Sequence, residues 1–103
     1  MVLKEWKIAA NSDARVLDKM TRYNEKGKKV EEIEYANYGQ KSRTVYEYDA
    51  NGRCSRQVVY DSKNKPIRVR KFEYYEDGSK KKQYNYDPNG KLVSTREFEY
   101  IFN

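Results

Sequence analysis

The sequence predicts an all-β fold: an antiparallel up-and-down meander of about eight strands in one twisted sheet. A unit that begins with Tyr and carries Gly or Asn at its fifth position recurs along the 103 residues. About eight residues rich in Val, Thr, Tyr and charged groups separate successive units, which is an ordinary strand length. Hairpins that follow one another without a long connection form a meander. The tyrosines that open the units are Tyr23, Tyr35, Tyr48, Tyr60, Tyr74 and Tyr86.

Each unit predicts a hairpin turn. Asp or Asn after the Tyr bonds its own backbone, two residues form a type I turn, and the Gly adopts a left-handed conformation. Asn64 replaces Gly in one unit, and Asn tolerates that conformation best after Gly. The units bound six strands between about Val16 and Tyr86, and a last strand is expected at 91–101.

The N-terminal segment, 3–22, precedes the repeat units of about 21–100. A strand at 4–9 is expected to turn at 11–13. Residues 13–22 leave two alternatives, a helix capped by Ser12 or a strand, and we favour the strand because Thr21 and Tyr23 fit the repeat. The length fits a single domain over 1–103. The sequence allows either an open, strongly curled sheet or a closed barrel.

Side-chain alternation along strands predicts two unlike faces. If three-residue loops keep residues of equal parity on one side, all six repeat tyrosines share a face with most Arg and Lys, and Glu dominates the other. The one spacing of 13, between Tyr35 and Tyr48, then requires a β-bulge near Thr44.

The same register predicts two cross-strand rows and a candidate site on the basic face. One row contains Tyr46, Arg56, Arg70 and Tyr84, and the other contains Tyr48, Cys54, Phe72, Lys82 and Arg96. Arg and Lys stems can lie over the rings while their charged ends stay hydrated. The predicted partner-binding residues are Tyr46, Arg56, Arg68, Arg70, Lys80, Lys82, Tyr84 and Arg96.

Composition argues against catalysis. The chain has no His, which excludes Ser-His and Cys-His nucleophile pairs. Turn geometry accounts for the Asp residues, so we expect no catalytic residue, metal site or cofactor. Cys54 is interpreted as a small core residue. A lone Cys, no signal peptide and no membrane-length apolar stretch together predict a cytoplasmic protein without a membrane partner.

Two segments resemble known repeats. YEYDANGR at 46–53 and YNYDPNGKL at 84–92 are similar to the YD repeats of Rhs-type proteins. The stretch KFEYYEDGSKKKQYNYDPNGKLVS also resembles variant MORN-type repeats of small bacterial proteins, some of them antitoxin components. The resemblance implies successive β-hairpins and a bias toward protein contacts, and it transfers no functional residues.

Three functional hypotheses follow. The first is a small intracellular protein-binding module of the inhibitor, immunity or antitoxin type, such as a phage-encoded protein against a host defence nuclease. Its partner would present an acidic surface or belong to a nucleic-acid-handling complex. The second is binding of single-stranded RNA or DNA through the Tyr, Arg and Lys face, which the net charge of +6 also allows. The third is a structural fragment of a larger array. Exposed edge strands also suggest an edge-to-edge homodimer.

Overall fold

A computed structural model describes residues 1–102 as one open, eight-stranded antiparallel sheet that does not close into a barrel. The strands follow one another across the sheet in chain order, so the predicted meander is confirmed. No helix long and apolar enough to span a membrane occurs among these residues. The strands are β1 (Val2–Ile8), β2 (Arg15–Tyr23), β3 (Lys29–Ala36), β4 (Gly39–Tyr48), β5 (Cys54–Tyr60), β6 (Pro66–Tyr74), β7 (Lys80–Tyr86) and β8 (Leu92–Glu97).

The sheet is a single layer with almost no core. Each strand contacts only its neighbours in sequence, so no second layer covers either face. The radius of gyration is 16.8 Å, well above the roughly 13 Å of a compact domain of about this length. Val58, exposed by 6%, is the buried hydrophobic residue, and Thr21, exposed by 2%, is the buried polar one in the described chain. Cross-strand contacts on two solvated faces must therefore hold the fold.

The predicted turns form with the expected backbone geometry. In the turn after Tyr48, Asp49 N donates to Arg53 O at 2.9 Å, and Gly52 N donates to Asp49 O at 3.0 Å. The Asp49 carboxylate accepts the N–H groups of Asn51 and Arg53. Asn64 takes Gly's place with φ +61°. These side-chain bonds are why Asp and Asn recur after the Tyr.

The turn after Tyr35 explains the single spacing of 13. Ala36 pairs with Gly39, which leaves a two-residue loop where the other units have three. The pairing of β3 with β4 is continuous on both sides of Thr44. The bulge predicted near Thr44 is therefore wrong, because the missing residue is absorbed in the turn.

A β-bulge follows each of the six repeat turns, and the sequence-based register missed these bulges. Beside each repeat tyrosine the pairing shifts by one, since the strand leaving the turn carries one unpaired residue. For example, Tyr48 pairs with Cys54, but Glu47 pairs with Arg56, and Ser55 is skipped. The skipped residues are Val30, Lys41, Ser55, Ile67, Lys81 and Val93.

The bulges place successive tyrosines on opposite faces. An extra residue reverses the alternation of the strand that contains it, so the prediction of one tyrosine face is wrong. We call the side that carries Tyr23, Tyr48 and Tyr74 face A, and the side that carries Tyr35, Tyr60 and Tyr86 face B. The Tyr48 hydroxyl donates to Lys29 O at 2.6 Å, and the Tyr74 hydroxyl donates to Cys54 O at 2.5 Å. On face A each of these tyrosines thus reaches back to the preceding hairpin at the same end of the sheet.

The two ends of the chain differ in how well they match prediction. Residues 15–23 form strand β2, so the strand interpretation is confirmed and the helical alternative is wrong. The last strand ends at Glu97, short of the predicted 101. Beyond it, Tyr100 packs edge-on against Tyr75 at 6.4 Å between ring centroids, and the Tyr75 hydroxyl donates to Phe98 O at 3.3 Å. The terminal aromatic residues fold back beside the turn after β6.

Candidate partner-binding site

The structure divides the predicted partner-binding residues between the two faces. Strand alternation and register place three of them, Arg56, Lys82 and Tyr84, on face B. The others lie on face A, where the ammonium of Lys80 is 4.8 Å from the Phe72 ring. The face A members are Tyr46, Arg68, Arg70, Lys80 and Arg96.

The predicted cross-strand rows are corrected by the same bulges. Tyr46 pairs with Gln57 rather than Arg56, and Tyr84 pairs with Lys71. Of the second predicted row, only the pair of Tyr48 and Cys54 is confirmed. The observed face A row through Tyr46 contains Tyr46, Gln57, Arg70, Asn85 and Ser94.

Face A contains a trough on its C-terminal half, above the middle strand β7. Strand β7 supplies amide side chains to the floor, while β6 and β8 supply guanidinium groups on either side. The volume of the trough is about 400 Å³. Ile67 and Val93, two of the unpaired bulge residues, lie at its rim, and Tyr86 and Asp87 close the end near the turn. We use the name arginine trough for this site, which is formed by Arg68, Arg70, Gln83, Asn85, Ser94 and Arg96.

The arginines of the trough have no acidic partner. Across residues 1–102, no carboxylate oxygen lies within 4.0 Å of the guanidinium groups of Arg68, Arg70 and Arg96. Other arginines of the sheet do have such a partner: Arg43 lies 2.7 Å from Glu31, and Arg56 lies 2.6 Å from Glu47. Within the described chain, no ion pair therefore neutralises these three arginines.

Bringing these guanidinium groups together has an electrostatic cost. Burial, and then the neighbouring Arg68 charge, lower the pKa of Arg70 from its usual value. The group remains charged near neutral pH, since guanidinium loses its proton only at very high pH. A half-buried cation beside a like charge is stabilised by an anion placed between them, and this favours an anionic ligand.

A chain of hydrogen bonds fixes the floor of the trough. Gln83 Nε2 donates to Asn85 Oδ1 at 2.9 Å, and Asn85 Nδ2 donates to Ser94 Oγ at 3.0 Å. Arg70 Nη1 donates to Gln57 Oε1 at 3.3 Å. Ser94 Oγ accepts in this chain, so its own hydroxyl proton can be donated to a ligand.

Most aromatic rings of the sheet are already covered by cations. Arg43 lies 4.6 Å from the centroid of Tyr60, Lys71 lies 5.4 Å from that of Tyr86, and Lys29 lies 5.6 Å from that of Tyr46. These contacts stabilise the fold. They also occupy the ring faces on which a nucleic-acid base would stack.

No arrangement for metal binding or thiol chemistry is apparent in the part of the chain that the structure describes. It contains no cluster of three or more His, Cys, Asp or Glu suited to a metal ion. Cys54 is half-buried beside Tyr48, and its Sγ lies 3.6 Å from Arg56 O. Burial raises the pKa of its thiol, which keeps it protonated and poorly nucleophilic.

Sequence reasoning missed the amide floor of the trough. Gln83, Asn85 and Ser94 were absent from the predicted site because the parity scheme omitted the bulges that bring them beside the arginines. The distribution of charges could have indicated that the register lacked these bulges. The parity scheme placed the acids and bases on separate faces, and like charges opposite one another destabilise a sheet.

Comparisons with known proteins do not assign a family. No family model matches the sequence, and no curated protein matches it. The fold is similar to part of a chain in a solved structure titled "Crystal structure of GtfA/B complex bound to UDP and GlcNAc". The TM-score is 0.36 and the identity 14%, over 89% of this chain and 19% of that one. The present chain thus spans about a fifth of that neighbour, and a likeness this weak carries no conclusion about function.

Proposed function

We propose that this protein is a non-enzymatic protein-binding module that docks an acidic surface of its partner onto the arginine trough. The observation that carries the proposal is the group of three arginines that lie side by side in one trough, with no carboxylate partner in the described chain. Arginine is also a residue type enriched at protein interfaces. An inhibitor or antitoxin that blocks a larger intracellular protein is the role most consistent with such a module.

The open sheet suits this role in a second way. A single layer with two uncovered faces presents a wide surface whose strands are already paired, which lowers the ordering cost of binding a partner. Charged pairs that form only on binding contribute to specificity and to the rate of association. Nucleic-acid binding is less favoured, because several rings that could stack bases, those of Tyr46, Tyr60 and Tyr86, already hold cations.

The test is partner binding by matched charge variants. A partner identified by affinity purification from the producing cells would be made recombinantly, and its binding measured by calorimetry. We expect a 1:1 complex that Arg68→Gln with Arg96→Gln weakens at least about 100-fold, since hydrogen bonds to charged groups contribute about 1.5–3 kcal/mol each. The control is Arg56→Gln with Lys82→Gln, which removes the same charge from face B.

Two outcomes would contradict the proposal. One is a complex weakened equally by the trough pair and by the face B pair, which would show that only net charge matters. The other is retention of single-stranded RNA or DNA with a steep salt dependence, in place of any protein partner. Enzymatic turnover of a small molecule by the isolated protein would exclude the non-enzymatic part.

A further inference from the structure

The arginines of the trough stand at three successive levels along the strands. Arg70 lies in the row with Asn85 and Ser94, and Arg96 lies in the next row of the same face, opposite Gln83. Arg68 lies two residues before Arg70 on β6, one same-face level in the other direction. Same-face residues of a strand are about 6.5–7 Å apart. The three arginines are therefore attached at successive levels along the strand direction, spaced like alternate residues.

The trough also has the width of one polypeptide chain. Its arginine-bearing walls, β6 and β8, are separated by β7 alone, so their backbones are about 9–10 Å apart. The floor residues, such as Gln83 and Asn85, have shorter side chains than the flanking arginines. An extended segment that lies along β7 would place every second side chain toward this floor.

We propose that the trough binds an extended acidic segment whose carboxylates occur at alternate residues, in the pattern acid-x-acid-x-acid. This inference rests on the proposed function and specifies the chemistry of the partner. Two carboxylates would meet Arg68 and Arg70 on one wall, and the third would meet Arg96 on the other. Charged bonds of this kind are the strongest that a side chain makes.

The ends of the trough limit the length of the motif. At the turn end, Asp87 lines the trough, and its carboxylate Oδ1 accepts the N–H groups of Asn89 and Lys91. A fourth ligand carboxylate there would meet a like charge, which destabilises binding. Ser94 and the amides of Gln83 and Asn85 supply polar contacts between the charged levels. Three alternate acids are the expected requirement.

The test compares two peptides of identical composition. Fluorescein-labelled Gly-Asp-Thr-Asp-Thr-Asp-Gly and its isomer Gly-Asp-Asp-Asp-Thr-Thr-Gly would be titrated with the full-length protein, and binding followed by fluorescence anisotropy at low salt. We expect the alternating peptide to bind at least about tenfold more tightly, because each well-placed charged contact is equivalent to about a factor of ten. Arg70→Gln should weaken it by about tenfold or more.

Controls keep the outcomes distinct. Arg56→Gln on face B should change the affinity less than about twofold. Circular dichroism would confirm that each variant folds. If substitution of the half-buried Arg70 disrupts the sheet, Arg68→Gln, at an exposed position, replaces it in the test. Equal affinity for the two isomers, or no binding of either, would overturn the inference while partner binding in the calorimetric test still supported the proposed function. Tighter binding of an oligothymidylate of equal charge would overturn both.

Discussion

Face A carries two regions built on the same backbone with opposite charge. Glu32 and Glu34 on β3 occupy the same positions after Tyr23 that Gln83 and Asn85 occupy after Tyr74. In the first region Glu32 is bound by Lys29 at 2.8 Å and lies 3.8 Å from Lys19. In the trough, the flanking cations have no such acid. The repeated hairpin thus sets the geometry, and the residues at non-turn positions decide whether a site is closed by internal ion pairs or left open to a ligand.

The largest effect is expected from converting the trough into the acidic region. Gln83→Glu with Asn85→Glu would give the arginines internal partners, as Glu32 does for its lysines. We expect affinity for the alternating acidic peptide to fall by at least about 30-fold, because the ligand must then compete with internal carboxylates. Ala50→Glu with Thr95→Glu adds the same charge elsewhere and should leave most of the affinity. Similar losses in both variants would show that the trough is not the site.

Removing one charge from each region should have unequal effects on stability. Glu32 is largely buried, at 15% side-chain exposure, and its loss leaves two lysines unpaired. We expect Glu32→Gln to lower the free energy of unfolding by about 1–2 kcal/mol. Arg68→Gln removes a cation that has no acidic partner and should change it by less than about 0.5 kcal/mol. Urea titrations measure both, and a larger loss for Arg68→Gln would contradict the comparison.

A smaller effect is expected from the tyrosine hydroxyl groups. Tyr48→Phe removes a bond to the Lys29 carbonyl and should reduce the free energy of unfolding by about 1 kcal/mol. Tyr60→Phe is the control: its ring stacks under Arg43, and in the described chain no hydrogen bond involves its hydroxyl. Thermal unfolding of the two variants compares them. Equal losses would mean that the hydroxyl bond to the backbone contributes nothing.

Alkaline pH should give the smallest effect. The hydrogen bond to Glu32 raises the pKa of Lys29 above its usual 10.5, and burial raises the pKa values of Tyr46, Tyr48 and Tyr74 above 10.0. The folded state holds these protons more tightly than the unfolded state. Burial also raises the pKa of the Cys54 thiol above its usual 9.0. Stability should therefore be constant up to about pH 8 and fall as pH rises through 9 and beyond 10. The free energy of unfolding, measured between pH 8 and 11 for the wild type and for Glu32→Gln, tests this. The variant should show a smaller decline, because the contribution of the bond between Lys29 and Glu32 is absent.

Much of the fold could be predicted because turn chemistry is local. Asp or Asn, a type I turn and a left-handed Gly or Asn identify each hairpin from a few residues. This local signal predicted the order of the strands and a strand at 13–22, which the structure has at 15–23. The turn after Tyr35 shows the limit: one residue fewer could be absorbed in the loop or in a strand, and only the pairing of Ala36 with Gly39 decides it.

The site was harder to predict because a bulge has no comparable signature. The skipped residues are as different as Ser55, Ile67 and Lys81, so no residue type marks the position. A shift of one residue moves every later side chain of the strand to the other face. Two such shifts separate β6 from β8 and cancel, so Arg68, Arg70 and Arg96 were predicted correctly to share a face. A single shift separates β6 from β5 and from β7, so Arg56 and Lys82 were assigned to the wrong face.

The most direct test of peptide binding in the trough is an NMR titration of the labelled protein with the alternating acidic peptide. The largest shift changes are expected at the side-chain amides of Gln83 and Asn85 and the guanidinium groups of Arg68, Arg70 and Arg96. The Glu32 region and face B should change little. Shift changes centred on Arg56 and Lys82, or on the edge strand β1, would contradict binding in the trough.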